Sequence, residues 1–172
     1  LEAQGYRVGV LAQPDWHSAE PFRAFGTPRV AWLVSAGNLD SMLNNYTAAK
    51  RIRSDDQYSP DAAGGRRPNY ATVVYAQRCK EAAKDVPIIA GGVEVSMRRL
   101  AHFDYWSEKV RRSMIVDGRA DLVIYGMGER PLLEVIRQLK AGVPIREIRD
   151  VPGTGYAVGK KGRPHFVPDS LD

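Results

Sequence analysis

Two apolar segments of this sequence each run directly into a glycine turn that is followed by an acidic residue. They read Val86-Pro-Ile-Ile-Ala-Gly-Gly-Val-Glu94 and Asp121-Leu-Val-Ile-Tyr-Gly-Met-Gly-Glu129. In an open α/β sheet, ligands bind outside the carboxyl ends of the strands. Glycine at those ends lets another molecule approach the backbone closely, because it has no Cβ. The two turns therefore predict a functional edge of a sheet.

Strand and helix patterns alternate along the chain, which predicts an α/β domain with a parallel sheet flanked by helices. Strands are expected over residues 6–12, 29–35, 86–90 and 121–125. Helices are expected after the N-cap Asp40, over residues 72–84 and 107–115, and from Pro131 to the terminating Gly142.

Two further segments lie outside this alternation. Residues 44–70 are polar and rich in turn formers, which predicts a long loop of the kind that is either functional or disordered. The end of the chain alternates over 156–158 and 165–167 around Gly159-Lys-Lys-Gly162, which predicts a β-hairpin.

Each glycine turn has two interpretations. Gly126-Met-Gly-Glu129 opens a helix, so it can hold an anionic group at the helix N-terminus, or it is a tight turn in which Glu129 caps the helix. It lacks the third glycine of a dinucleotide fingerprint, since Leu132 stands there, and it lacks the lysine of a P-loop. After Gly91 and Gly92, the side chains of Glu94 and Ser96 either bind a polar ligand or face water.

Composition narrows the class of protein. The 172 residues carry a formal net charge of +5 and one cysteine, Cys79, which excludes an internal disulfide and a Cys-rich metal site and favours the cytoplasm. No apolar run reaches the length of a membrane-spanning helix. The opening Leu1-Glu-Ala-Gln-Gly5 resembles the last turn of a helix, so we expect the natural protein to begin further upstream.

The sequence shows no catalytic cluster and no metal site. His17, His102 and His165 lie far apart, without the spacing of a helical metal pair. Ser35 and Ser96 have no assignable base. We therefore predict no catalytic residue and no metal ligand in this chain.

A basic, aromatic segment follows the first glycine turn. His102-Phe-Asp-Tyr-Trp106 is flanked by the arginine pairs Arg98-Arg99 and Arg111-Arg112. Such a mixture can stack nucleobases or form the core of a protein interface. We favour an interface, formed by Arg98, Arg99, His102, Tyr105 and Trp106.

Several segments together resemble a known family. They are 1–9, Ala12-Gln-Pro-Asp-Trp16, 35–42, 75–81, Gly91-Gly-Val-Glu-Val-Ser-Met-Arg-Arg99, 102–107 and Gly128-Glu-Arg-Pro-Leu132. The wound α/β pattern with these turns resembles the cobalamin-binding-like N-terminal domain of radical SAM proteins. The segments resemble most closely the YgiQ-like radical SAM family.

The resemblance implies a flavodoxin-like, doubly wound, mostly parallel sheet over residues 1–150, with its first strand upstream of Leu1. Residues 151–172 would then be a hairpin or linker toward a radical SAM barrel in the same protein. That barrel would hold a 4Fe–4S cluster on a CxxxCxxC motif and cleave S-adenosylmethionine. This sequence has no such motif, so the resemblance places neither cofactor on it.

Cobalamin stays open under this resemblance. Asp15-Trp-His17 is similar to the Asp-x-His-x-x-Gly motif that supplies a histidine ligand to cobalamin, but Glu20 replaces its glycine. Some radical SAM relatives bind cobalamin without this histidine.

The expected role is that of an accessory domain, which shapes substrate access or binds a ligand at the edge of the sheet. The expected ligand-facing residues are Gly37, Asn38, Gly91, Gly92, Glu94, Ser96, Gly126, Gly128 and Glu129. One alternative is a basic nucleic-acid-binding module, and a second is a purely structural interaction domain. The substrate and the oligomeric state do not follow from the sequence.

Overall fold

The computed structural model describes residues 1–159, and its centre is a four-stranded sheet in the order β1-β2-β5-β6. Strands β1 (Trp32–Val34), β2 (Ile88–Ala90) and β5 (Leu122–Ile124) are parallel, so their carboxyl ends meet at one edge. Strand β6 (Thr154–Gly155) pairs antiparallel with β5. The fold is therefore α/β with a mostly parallel sheet.

Five helices and a small second sheet complete the described part of the chain. The second sheet is an antiparallel pair of β3 (His102–Asp104) and β4 (Lys109–Arg111). The helices are α1 (Ser41–Asn45), α2 (Ala71–Ala82), α3 (Val93–Met97), α4 (Met114–Asp117) and α5 (Glu129–Lys140).

Helices cover both faces of the main sheet. On β2, Ile89 points to the cluster that contains Val135 and Ile136 of α5. Its neighbour Ile88 packs on the opposite side with Ala76 of α2. Because successive side chains of a strand point to opposite faces, strands covered on both faces are apolar throughout, as β2 and β5 are.

Most of the predicted elements are confirmed, with shorter strands. Strands lie within the expected segments 29–35, 86–90 and 121–125. The Asp40 carboxylate caps α1 by accepting hydrogen bonds from the Met42 and Leu43 amides. Helix α5 ends before Gly142, whose φ of +89° is a left-handed conformation that suits glycine after a helix.

Two predicted elements are wrong. Residues 6–12 form no strand, because Gly9 lies against the ring of Phe25 and Val8 and Val10 are exposed. The helix expected over 107–115 is instead strand β4 followed by α4. Its start is broken at Glu108, whose left-handed φ of +53° turns the chain back to pair with β3.

The long loop expected over residues 44–70 is found over 46–70, since residues 44 and 45 belong to α1, and it contains one short 3₁₀ turn at Pro60–Ala62. The predicted hairpin is only partly covered by the described residues. Residues 156–158 are not a strand, and 165–167 lie outside the described part. Strand β6, within the segment 151–172, pairs with β5 of the main sheet. The domain boundary at residue 150 stays a prediction.

The described strands establish a mostly parallel α/β sheet. A flavodoxin-like topology and a relation to cobalamin-binding domains stay predictions. No helix within residues 1–159 is long and apolar enough to cross a bilayer.

Candidate functional site

The two glycine turns lie side by side at the carboxyl edge of the sheet, and Ser96 joins them. The Ser96 hydroxyl donates a hydrogen bond to the Gly92 carbonyl at 2.9 Å. It also accepts one from the Gly126 amide at 3.2 Å. The Ser96 side chain on α3 thus holds the turn after β2 against the turn after β5.

The turn after β1 reaches the same place. The Gly37 amide donates to the Ser35 hydroxyl at 2.9 Å, and a Cβ built on Gly92 would lie 2.9 Å from that same oxygen. Gly91 donates to the Val34 carbonyl at 2.9 Å. Three strands therefore end in one patch of closely packed glycine backbone, which we call the glycine patch and which consists of Gly37, Gly91, Gly92 and Gly126. Gly37 and the neighbouring Asn38 are exposed.

Gly92 is the glycine that this patch most requires. Its φ of 92° and ψ of −176° fall in a region that only glycine adopts readily. We expect Gly92→Ala to lower the free energy of unfolding by about 2 kcal/mol, because backbone strain adds to contact with Ser35. Denaturant unfolding would measure it.

Gly126→Ala is the matched control for this prediction. Gly126 also has a left-handed φ, of +69°, but a Cβ there would meet no atom within 4 Å. It should cost about 1 kcal/mol. Equal losses for the two variants would contradict the close packing at Gly92.

Glu94 is buried beneath this patch and caps two helices. Its Oε2 accepts a hydrogen bond from the Ser41 amide of α1 at 2.8 Å, and its Oε1 accepts one from the Thr72 amide of α2 at 3.0 Å. With 1% of the residue exposed, both carboxylate oxygens are engaged inside the protein. Glu94 therefore belongs to the scaffold of the site and not to its ligand-facing surface.

Arg98, the residue that ends α3, is also part of the scaffold. Its guanidinium forms a buried ion pair with the Asp40 carboxylate, the N-cap of α1. Burial lowers the pKa of Arg98, while the charge of Asp104 acts in the opposite direction. Arg98 therefore lies in the interior, although the sequence placed it among the interface residues.

The structure of the turn after β5 does not agree with the interpretation that Glu129 caps the following helix. Gly128 is the N-cap of α5, no side chain caps that helix, and Pro131 is its third residue instead of its first. Glu129 is exposed. The interpretation in which Glu129 caps its helix is wrong, because among the described residues no first-turn amide of α5 donates a hydrogen bond to its carboxylate.

The aromatic segment folds over the loop of residues 44–70. The Trp106 ring lies 5.2 Å from that of Tyr46, and the Tyr105 hydroxyl donates to the Ala48 carbonyl at 2.9 Å. His102 is half-buried in β3, with Nδ1 3.1 Å from the Leu100 carbonyl. Arg99 is exposed, with its guanidinium 5.0 Å from the centre of the Tyr125 ring.

A second buried ion pair anchors that loop to the sheet edge. Arg67 donates to both carboxylate oxygens of Asp56, at 2.8 and 3.2 Å, and to the Ala36 carbonyl at 3.4 Å. Burial alone would raise the pKa of Asp56, but hydrogen bonds from the Ser59 hydroxyl and the Tyr58 amide hold it below its usual value. The sequence shows both residues only as polar residues of a loop.

The described residues provide no site for a thiolate-bound cluster. Cys79, the one cysteine of the sequence, lies on α2 and is buried in the core, and burial raises its pKa to about 12. Iron–sulfur clusters are held by several thiolates. Within residues 1–159 there is also no group of three His, Cys, Asp or Glu side chains placed to hold a metal ion.

His17 has its contacts within its own loop. Its Nδ1 lies 2.5 Å from the Asp15 carboxylate, and its ring stacks on Trp16. The described contacts therefore give no sign that His17 faces the glycine patch as a cofactor ligand would.

Comparison with known proteins gives one consistent result. The family model described as Radical SAM N-terminal matches residues 1–168. The chain is 61% identical over 154 residues to a UPF0313 protein of Shewanella oneidensis, covering 90% of this chain and 20% of that protein. It is 58% identical over 158 residues to the UPF0313 protein YgiQ of Escherichia coli, covering 92% of this chain and 21% of YgiQ.

The chain thus spans about a fifth of the length of the curated relatives it matches. No solved structure matches it significantly.

Proposed function

Because this chain belongs to the Radical SAM N-terminal family, we propose that it is an accessory domain that docks against the radical SAM domain of the same polypeptide. The glycine patch at the carboxyl edge of β1, β2 and β5 is the docking face. In this position it forms one wall of the path by which substrate reaches the radical chemistry.

The observation that carries this proposal is a set of exposed apolar side chains in the segments that follow β2 and β5, next to the glycine turns. Val93 and Met97 lie one turn apart on α3 and are 46% and 58% exposed. Leu100 is 68% exposed, and Met127, between the glycines of the β5 turn, is 83% exposed. Exposed apolar patches that are continuous typically mark sites of interaction.

The length of the relatives supports a partner within the same polypeptide. About four-fifths of each matched relative lies outside the part that resembles this chain. A cluster that cleaves S-adenosylmethionine would be held there, since the residues of this chain do not fit it. This chain supplies a docking surface. Its glycines allow the partner domain to approach the backbone closely, and its methionines adapt to an irregular partner surface.

Hydrogen exchange in the full-length protein tests the docking. We expect the amides of residues 93–97 and 125–128 to exchange more slowly in the full-length protein than in the chain alone. Met97→Lys with Met127→Lys should abolish that difference, because two ammonium groups would be desolvated in the contact.

Val10→Lys is the control, since Val10 is equally exposed at 76% but lies in the N-terminal segment. Equal exchange of residues 93–97 and 125–128 in the long and short forms would refute the docking.

Titration with cobalamins, S-adenosylmethionine and nucleotides, followed by absorbance and calorimetry, would separate a ligand-binding edge from a purely structural one.

Several of the arginines on which the nucleic-acid alternative depends form ion pairs within the chain. Arg67 and Arg98 are buried in ion pairs, and Arg111 and Arg112 both contact Asp117. The buried Arg67 and Arg98 therefore contribute nothing to a basic surface. The kinship with cobalamin-binding domains and the cytoplasmic location remain part of the proposal, supported by the α/β sheet and by the single buried cysteine.

A further inference from the structure

A cleft of about 290 Å³ lies between the long loop and the β3–β4 hairpin. Three aromatic rings form its walls, those of Tyr46, Tyr70 and Trp106, and the buried Met42 lies among its lining residues. Polar lining comes from Lys50, Asn69 and Ser107. The cleft is therefore built by segments that are far apart in the sequence.

Left-handed backbone is concentrated at this cleft. Among residues 1–159, seven non-glycine residues have a left-handed φ, and three of them are Lys50, Tyr70 and Glu108. Lys50 and Tyr70 line the cleft, and Glu108 pairs with Lys50. Strained backbone persists where the surrounding structure enforces it, and such residues cluster at functional sites.

The walls are held rigidly. The Tyr70 hydroxyl donates to the buried Asp104 carboxylate at 2.7 Å, and the Arg111 guanidinium lies 4.1 Å from the centre of the Tyr70 ring. The Asn69 amide donates to the Tyr46 hydroxyl at 2.8 Å, which fixes the ring that pairs with Trp106. A ligand would therefore meet preformed aromatic surfaces and lose little entropy to ordering them.

The charged lining favours an anion next to those rings. Lys50 places its ammonium at the cleft, where it lies 2.5 Å from the Glu108 carboxylate and 4.7 Å from the centre of the Tyr105 ring. The Glu108 side chain is 73% exposed, and an exposed ion pair of this kind contributes little stability. An incoming phosphate can therefore take the place of Glu108 on Lys50.

We propose that this cleft binds a nucleotide, with its base stacked on Tyr46 and in contact with Trp106, and its phosphate on Lys50. Aromatic rings stack any base through its π-face. This site lies apart from the glycine patch and does not depend on the docking proposed for it. A free nucleotide and a residue of a single-stranded nucleic acid present the same chemistry.

Calorimetric titration of the complete chain with AMP, adenosine and a short single-stranded RNA tests the site. We expect saturable binding of AMP, about fivefold tighter than that of adenosine. Tyr46→Leu should weaken both by about tenfold through lost stacking. Lys50→Asn should remove the preference for AMP and leave adenosine binding unchanged, and asparagine tolerates the left-handed backbone at this position.

Tyr58→Leu and Lys109→Asn are the matched controls, because these residues carry the same side chains outside the cleft. RNA that competes with AMP and binds more tightly would identify single-stranded nucleic acid as the source, and RNA that binds no more tightly would identify a free nucleotide. The proposal is overturned if none of the three probes saturates, or if Lys50→Asn retains the preference for AMP.

Discussion

Replacing Glu94 by glutamine is expected to lower the free energy of unfolding by about 3 kcal/mol. The carboxylate accepts hydrogen bonds from the Ser41 and Thr72 amides, and its negative charge lies at the N-termini of α1 and α2. A glutamine side chain offers one acceptor, and its NH₂ group would face the other amide, donor against donor. One buried N–H is then left without a partner.

Urea unfolding of the chain, followed by circular dichroism, would measure this loss. Glu129→Gln is the matched control, because Glu129 is exposed at the start of α5 and caps nothing. It should change stability by less than about 0.5 kcal/mol. If Glu94→Gln were as mild as the control, Glu94 would not be the cap of two helices.

The second large effect is expected at the buried pair of Asp40 and Arg98. Arg98→Met or Asp40→Asn should each lower the free energy of unfolding by about 3–5 kcal/mol, because each leaves an uncompensated charge in the interior. Asparagine is a good N-cap, so Asp40→Asn retains the cap of α1 and isolates the effect of the charge.

A double-mutant cycle measures the coupling of this pair. The double variant should be more stable than the sum of the single losses predicts, by about 2 kcal/mol, since it buries no lone charge. Arg99→Met is the control, because the neighbouring Arg99 is exposed and makes a cation–π contact with Tyr125. Strict additivity of the two single losses would show that the ions are not paired.

Both predictions concern α3, which organises the site from beneath. Glu94 and Arg98 fix α1 and α2, and Ser96 on the same helix joins the glycine turns. This short helix therefore links the shape of the glycine patch to the position of the loop of residues 44–70.

Elements with a clear period or a local stop signal were predictable from the sequence. Helix α5 has an apolar stripe and the terminating Gly142, and β2 and β5 are apolar runs that end in glycine. Such elements depend on side chains close in sequence, so local patterns are sufficient.

Residues 6–12 and 107–115 were mispredicted because contacts with residues outside each segment outweigh the pattern within it. The first segment packs against Phe25 instead of joining the sheet. In the second, the Asp104 carboxylate accepts from the Ser107 amide at 2.9 Å and stabilises the turn between β3 and β4. A helical pattern in the sequence does not show that such a turn forms.

The sequence by itself determined the α/β class, the glycine-ended strands and the family, because all three depend on residue order along short segments. Only the tertiary structure decided what the polar residues after those glycines do. Glu94 and Ser96 are two positions apart, yet one is buried under two helices and the other joins two turns at the surface. The partners of Glu94 lie 53 and 22 residues away, at distances that no local pattern records.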